Sequence, residues 1–524
     1  MAKLALLLLV GACALAVGQT SVTTYHYDNN RTGWNSKESI LTPANVNAKT
    51  FGLLHTVTLD DQVDAQPLVV PGVVITAGQY QGTTHDVVYV ASENNTVYAI
   101  DANSGTILLS PNLGAPVPYP LGCDNNGPNV GITATPAIDA ANKILYVMAY
   151  TQKNGVPSYQ LHALALGSLK DTVSPEVVTA SHTLTDGTKS TFNATYQRQR
   201  PALLFANGNV YAGFGSFCDY GSNIARGWLL GWTGGTLKPL VSNELVDVQA
   251  GGNNYFLSSI WMSGYGPAAD DSGSILFVTA NSDPSSYDGI TNIQESVVKV
   301  SPTLTTVESL FTPSNQAVLD GGDQDFGSGG VLVLPNQPGT IPHLAVAAGK
   351  NGKMYLMNED NLGGFFPHRN NVLGTYNIGP CWCGQSYYVD PTDGLGRVVS
   401  SGGTTVRVWR IQTSPKVALL RQTSSPSIGG GQNPGFFTTI SSNSSSNPII
   451  WALSHPPNSG GSAINLFAFN PDSGGTRMKQ LYKAQAGSWP NVTGNSNLVP
   501  VVANGRVFVA SNKQLQIFGL TGTK

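Results

Sequence analysis

Charge is what this chain has least of. Acidic and basic side chains make up only 11% of its 524 residues, against about 25% in an ordinary soluble domain, so long helices with charged outer faces are not expected. With 27 Lys and Arg against 30 Asp and Glu the net charge is −3, which gives no basic footprint for holding nucleic acid through its phosphates. Beyond the N-terminal segment no apolar run approaches the roughly 18 residues of a membrane-spanning helix, and no transmembrane segment is expected in the mature chain. The sequence also lacks a Gly-x-Ser-x-Gly elbow, a Walker loop, a His-Glu-x-x-His motif and a Cys-x-x-Cys-His haem signature, so hydrolase, nucleotide and c-type haem chemistry have no carrier. Its eight histidines are scattered singly rather than grouped as metal ligands.

Cysteine is scarce too, and the N-terminus decides how many count. Lys3, the apolar run Leu4 to Val17 and the small residues Ala16-Val17-Gly18 read as a signal peptide over residues 1–18, which predicts a secreted or periplasmic protein. Val10-Gly11-Ala12-Cys13 also resembles a lipobox, but the residues after Cys13 stay apolar through Val17, which favours cleavage after Gly18 over a lipoprotein. Cys123, Cys218, Cys381 and Cys383 then remain; an oxidising compartment allows three full pairings among them, and the sequence does not choose. Zinc is a poor reading, because Cys381-Trp382-Cys383 has one residue between its sulfurs and no matching pair elsewhere. Five Asn-x-Ser/Thr sequons, at Asn30, Asn94, Asn193, Asn443 and Asn491, are what an Asn- and Thr-rich chain yields by chance.

What is abundant is turn-forming residues, 59 Gly and 32 Pro, separating short β-rich runs. The first unit sets the pattern: Gln66-Pro67-Leu68-Val69-Val70, then Val87-Val88-Tyr89-Val90-Ala91, then Thr96-Val97-Tyr98-Ala99-Ile100-Asp101, closed by Asn103-Ser104-Gly105. Alternation of this kind marks half-buried strands. Copies led by Pro136, Pro201 and Pro267 follow at intervals of 69, 65 and 66 residues. Looser copies near 329, 386, 436 and 498 bring the total to eight. The period exceeds the roughly 40–50 residues of WD40 and kelch repeats, and a parallel β-helix would have far shorter rungs. The sequence therefore predicts an all-β chain: residues 1–18 a signal, 19–48 an N-terminal extension, and 49–524 one β-propeller of about eight four-stranded blades. Phe51 to Val57 is expected to complete the last blade and lock the two ends of the chain together.

One segment carries a family likeness. Ala348-Gly349-Lys350-Asn351-Gly352-Lys353-Met354-Tyr355-Leu356-Met357-Asn358 resembles the Lys-Asn-Gly-x-x-Tyr-x-x-Asp blade of the quinoprotein alcohol dehydrogenases, propellers that bind pyrroloquinoline quinone (PQQ) and calcium. As in that family, an acidic, aromatic loop precedes it, here Asp323-Gln324-Asp325-Phe326-Gly327. The resemblance implies that Lys350 contacts the quinone and stabilises charge developing on its reduction, that Asn281 is a calcium ligand, and that Asp219, in Cys218-Asp219-Tyr220-Gly221, stands near the family's glutamate ligand. It implies Asp288 as catalytic base, although Asp288-Gly289 also suits a plain turn. The family covers its quinone with a vicinal disulfide on one face and a tryptophan on the other. The first corresponds here to Gly122-Cys123-Asp124, where no vicinal ring can form, and the second falls at Ala268 or Ala269, with Trp261 close by as a substitute.

These departures put first an exported, non-catalytic binding or assembly platform whose ligand is an unknown protein or carbohydrate. The alternatives are a PQQ- and calcium-dependent dehydrogenase of alcohols or sugars, which would need an external electron acceptor, and a carbohydrate or surface adhesion module.

Overall fold

The β-branched and aromatic runs form strands that return on themselves at Gly-, Asn- and Asp-containing turns, and each set of strands makes one twisted blade. The computed structural model describes residues 19–522 except 119–126, 218–224, 251–257, 283–286, 430–433, 457–460, 473 and 491–496. Cys123, Cys218, Asp219, Asn491 and the N-terminal segment with Cys13 lie outside the described residues.

Eight sheets stand in ring order among the described residues: blades 1 to 7 over 68–109, 137–177, 204–245, 268–312, 331–377, 386–424 and 438–488, and blade 8 over 501–520. The last sheet is completed from the other end of the chain. Phe51–Gln62 runs antiparallel to the second half of the long strand Arg506–Leu520, from Phe51 opposite Leu520 to Thr58 opposite Gln514, while Val501–Ala503 pairs with its first residues. The apolar core lies between blades. Leu68 and Tyr89 of blade 1 pack with Leu145 and Val147 of blade 2, and Val88 of blade 1 with Phe508 and Ile517 of blade 8, so burial continues across the closure. Helix is nearly absent, the one α-helix among the described residues being Gln316–Gly321.

The innermost strand of every blade faces the channel with one edge unpaired, and an unpaired edge needs hydrogen-bond partners. Residues 22–35 supply them. Val22 pairs with Val69 of blade 1. The carbonyl of Thr23 accepts from Ile138 N of blade 2 (2.8 Å), that of Asn29 from Ala269 N of blade 4 (2.8 Å), that of Asn30 from Val333 N of blade 5 (3.0 Å), that of Thr32 from Tyr387 N of blade 6 (2.8 Å) and that of Gly33 from Ile440 N of blade 7 (2.8 Å). The Asn29 side chain donates to Phe205 O of blade 3 (3.0 Å), and Tyr27 Oη accepts from Val502 N of blade 8 (2.7 Å). What reads in sequence as an extension is thus a plug that touches all eight inner strands at equivalent positions. To turn this tightly it places His26, Tyr27 and Arg31 at φ of 52°, 72° and 68°, a left-handed conformation that costs non-glycine residues about 1 kcal/mol or more each and persists only where surrounding contacts fix it.

Arg31, fully buried, ties the plug to the ring: its guanidinium donates to Pro267 O (2.8 Å), Thr24 Oγ1 (2.7 Å), Tyr25 O (2.9 Å) and Leu203 O (3.3 Å). Above it Tyr25 and His26 stack at 4.6 Å and meet the ring of Tyr265 at 5.2 and 5.0 Å, and Phe437 completes an aromatic layer across the channel.

Two outcomes follow. Arg31→Met should destabilise the fold by about 3–5 kcal/mol, since it strips three buried carbonyls of their donor, and urea unfolding measures this. Burial lowers the pKa of His26 to about 3, from about 6.5 in an unfolded chain. The unfolded state therefore binds a proton that the native state refuses, and the stability tied to this neutral ring is complete above pH 6.5 and drains away as the pH falls toward 3. Thermal unfolding of His26→Gln beside the unaltered protein should show a Tm gap that shrinks steadily from pH 6.5 to 4; a gap independent of pH refutes the assignment.

Candidate functional site

Strand polarity selects one end of the channel for polar chemistry. First and second strands of a blade are antiparallel, with Val331 opposite Ala347, so residues that follow a second strand meet residues that precede a first strand. Lys350, Asn281 and Glu93 belong to the former group, and Asp325, Trp261, Asp64, Arg198, Arg200, Cys381 and Cys383 to the latter. Their loops gather at one end of the channel.

Two close backbone approaches bring the central residues together. A Cβ on Gly349 would lie 2.6 Å from Phe326 Cα and 2.7 Å from Asp325 O, and one on Gly327 would lie 2.5 Å from Ala280 N; only glycine lets these three loops touch. As a result Lys350 N donates to Asp325 O at 3.0 Å, and the Lys350 ammonium sits 2.8 Å from Asp325 Oδ2 and 2.7 Å from Asp323 Oδ1. The Asn281 side-chain amide donates to that same Asp323 oxygen at 3.5 Å. Phe326 N donates to Glu295 Oε2 at 2.5 Å. Half-buried Trp261 and Trp382 both approach the ammonium, their ring centroids lying 5.9 and 5.2 Å from Lys350 Nζ, within cation–π range.

Burial alone would lower the Lys350 ammonium, but the charges of Asp325 and Asp323 outweigh it and push its pKa up to about 12. Burial raises Asp325 against the pull of Lys350. Glu295 is raised well above the usual carboxyl range, by burial first and then by repulsion from Asp325 and Asp320. The two inner carboxyls differ greatly in exposure from Asp323, whose side chain is 67% exposed against 2% for Asp325. Asp323 is the carboxylate that a ligand in the mouth can reach. Across the mouth a second ionic group joins Arg200 to Asp64 at 3.6 Å, and Glu93, raised by burial and by Asp64, accepts from Gly131 N at 2.6 Å.

Of the residues picked out from sequence, Lys350, Asn281 and Trp261 meet at this mouth. Asp288 is engaged elsewhere. Its Oδ1 accepts from the N–H groups of Ile290 (2.8 Å), Thr291 (2.7 Å) and Asn292 (2.9 Å), and its Oδ2 accepts from the Thr291 hydroxyl. These bonds overcome the effect of burial and hold its pKa below the usual carboxylate range, so the loop is an Asp-Gly turn with little basicity to spare. Asp219 lies outside the described residues. Ala268 and Ala269 form the inner strand of blade 4 beside the plug, and the aromatic layer nearby comes from Tyr265 rather than a tryptophan. Cys381 and Cys383 form a disulfide, which answers the pairing left open for these two. Sequence reasoning missed the roles of Asp323, Asp325, Glu295 and Trp382. The signal for the first two was the Asp-x-Asp spacing just upstream of Lys350, and for the last the Cys-Trp-Cys triplet.

No family model and no curated protein matches the sequence. Solved structures do match in fold. A quinohemoprotein alcohol dehydrogenase from Comamonas testosteroni aligns with a TM-score of 0.61 and 14% identity over 97% of this chain and 82% of that one. A second quinohemoprotein alcohol dehydrogenase, from Pseudomonas putida HK5, aligns at 0.60 and 14% over 96% and 81%, and a europium-containing methanol dehydrogenase at 0.60 and 11% over 95% and 98%. The fold is the eight-bladed propeller of the quinoprotein alcohol dehydrogenases. Among the described residues no group of three or more His, Cys, Asp or Glu side chains is arranged to hold a metal, and no helix is long and apolar enough to cross a membrane.

The ion pair yields a stability test. Lys350→Met leaves the buried Asp325 carboxylate without its counter-charge and should cost about 3–5 kcal/mol, whereas Asp323→Asn, at an exposed position, should cost no more than about 1 kcal/mol. Adding Asp325→Asn to Lys350→Met should recover part of the loss, and denaturant unfolding of the four proteins of that cycle gives the coupling.

Proposed function

We propose that this mouth binds a planar, anionic quinone-type cofactor together with a divalent cation, PQQ and calcium being the pair suggested by the fold, and that the protein is an exported dehydrogenase of alcohols or sugars. The observation that carries this reading is the convergence of Lys350, Asp323, Asp325 and Asn281 near two half-exposed indoles at one end of the channel. Asn281 Oδ1, Asp325 Oδ1 and Glu295 Oε1 are buried oxygens without a hydrogen-bond partner, hard donors of the kind calcium prefers, and these would be the residues to hold such a cation. Bound there, the cofactor supplies the two-electron sink that the protein's own side chains lack. Lys350, held protonated by its two carboxylates, places a fixed positive charge where negative charge develops on reduction. Asp323, through the carboxylate oxygen not facing Lys350, takes the proton of the substrate hydroxyl, the task first assigned to Asp288.

A non-catalytic platform is the second reading, and it is favoured by the full neutralisation of Lys350 by Asp323 and Asp325 within the chain. One experiment separates them: purified protein is loaded with PQQ and calcium, and reduction of an artificial dye is followed with primary alcohols and aldoses. The dehydrogenase reading expects turnover that falls about 100-fold or more in Asp323→Asn and is unchanged in Asp288→Asn. Binding without turnover would establish the platform reading, and no binding at micromolar cofactor would remove the cofactor from both.

A further inference from the structure

We infer that Trp382 is a ligand-stacking face of this site and that the Cys381–Cys383 disulfide serves to hold it there; the inference rests on the proposed binding of a flat cofactor. By the family resemblance the site lacks the vicinal disulfide cover and keeps only Trp261 as a substitute for the tryptophan cover. The structure places an indole in that role from an unexpected blade. Cys381 and Cys383 are both fully buried, and the residue between them is half-exposed. Joining the sulfurs of residues two apart closes a small ring, so the backbone of 381–383 cannot splay and the intervening side chain faces away from the bond, toward the mouth.

Further contacts fix this ring in place. Trp382 N donates to Pro434 O at 2.9 Å, and Gln385 Nε2 lies 3.8 and 4.0 Å from the two sulfurs. Ser328 Oγ stands 2.9 Å from Asp325 O and 2.7 Å from Cys381 O, so one hydroxyl bridges the loop that holds Lys350 to the loop that carries Trp382. The two indoles approach a single ammonium from different blades, Trp261 ahead of blade 4 and Trp382 ahead of blade 6, and their separation cannot exceed the sum of the distances 5.9 and 5.2 Å. Lys350 already has two carboxylate partners, so a second π-face adds little to its charge balance. A large apolar ring left half-open in a polar mouth is unspent stacking surface. A flat conjugated ligand reaching Lys350 meets that surface.

The test is titration of the full chain with PQQ and calcium, read by tryptophan fluorescence and by cofactor absorbance, on the unaltered protein, Trp382→Leu, Trp382→Phe, the Cys381→Ser/Cys383→Ser pair, and that pair combined with Trp382→Leu. Trp382→Leu should raise Kd by about tenfold, and Trp382→Phe should restore most of the affinity. The serine pair should weaken binding by itself yet add nothing in the Trp382→Leu background, because the bond acts through the indole. Thermal unfolding of each variant separates misfolding from lost contact, and Trp382→Phe keeps the test decisive if Trp382→Leu folds poorly. Unaltered binding in Trp382→Leu overturns this inference while leaving the cofactor reading intact; additive losses overturn the role given to the disulfide; absence of binding by the unaltered protein overturns the cofactor reading and this inference with it.

Discussion

Everything in this molecule depends on how eight inner strand edges find hydrogen-bond partners. Within a blade each inner strand pairs on one side only, so eight rows of peptide groups facing the channel need partners. One short segment, residues 22–35, meets an equivalent position on every blade in turn. It does so through left-handed residues and a buried guanidinium, both costly unless the surroundings return the cost in contacts. The plug and the ring therefore stabilise each other. A second closure, Phe51–Gln62 against Arg506–Leu520, joins the ends of the chain outside the channel, so both the inner and the outer rims of the propeller draw on the N-terminal region.

One end of the channel gathers the ionic groups around Lys350, and its electrostatics follow from burial. Lys350 stays charged because two carboxylates surround it, and burial, joined by repulsion from Asp325 and Asp320, pushes Glu295 well above the usual carboxyl range. The result is a fixed positive charge with an exposed carboxylate, Asp323, on its solvent side. Few arrangements in the chain separate a reachable acid from unreachable ones so sharply. The aromatic layer of Tyr25, His26, Tyr265 and Phe437 lies toward the plug, while the indoles of Trp261 and Trp382 stand at the mouth, which makes the channel a shaped cup rather than a tube.

The parts of the site that were legible from sequence are those held on regular repeat positions. Lys350 and Asn281 both follow second strands, and the repeat that fixes the strands fixes them too. Trp261, ahead of an inner strand, was legible for the same reason. Asp288, on the same connection as Asn281, has its carboxylate engaged by four local bonds, as an aspartate before glycine in a turn commonly does. Glu295 escaped notice, and Asp325 was noticed only as part of an acidic loop, because their importance comes from burial beside Lys350, which depends on loops from two blades touching across Gly327 and Gly349.

By itself the sequence determined the strands, their recurrence at intervals near 60 residues, a ring of about eight blades and the expected pairing of the two chain ends, since alternation and turn chemistry are local and survive without knowledge of neighbours; the structure fixed the count at eight. Only the tertiary structure decided that the N-terminal extension threads the channel, that Cys381 pairs with Cys383, and that Asp323, Asp325 and Trp382 surround Lys350. Apart from that disulfide, which joins residues two apart, those facts are contacts between residues distant in the chain, and they exist because the ring brings the blades together. Scarcity of charge, the first property noticed, proves to have a spatial meaning as well: some of the few charged groups this chain keeps are gathered and paired at one end of the channel.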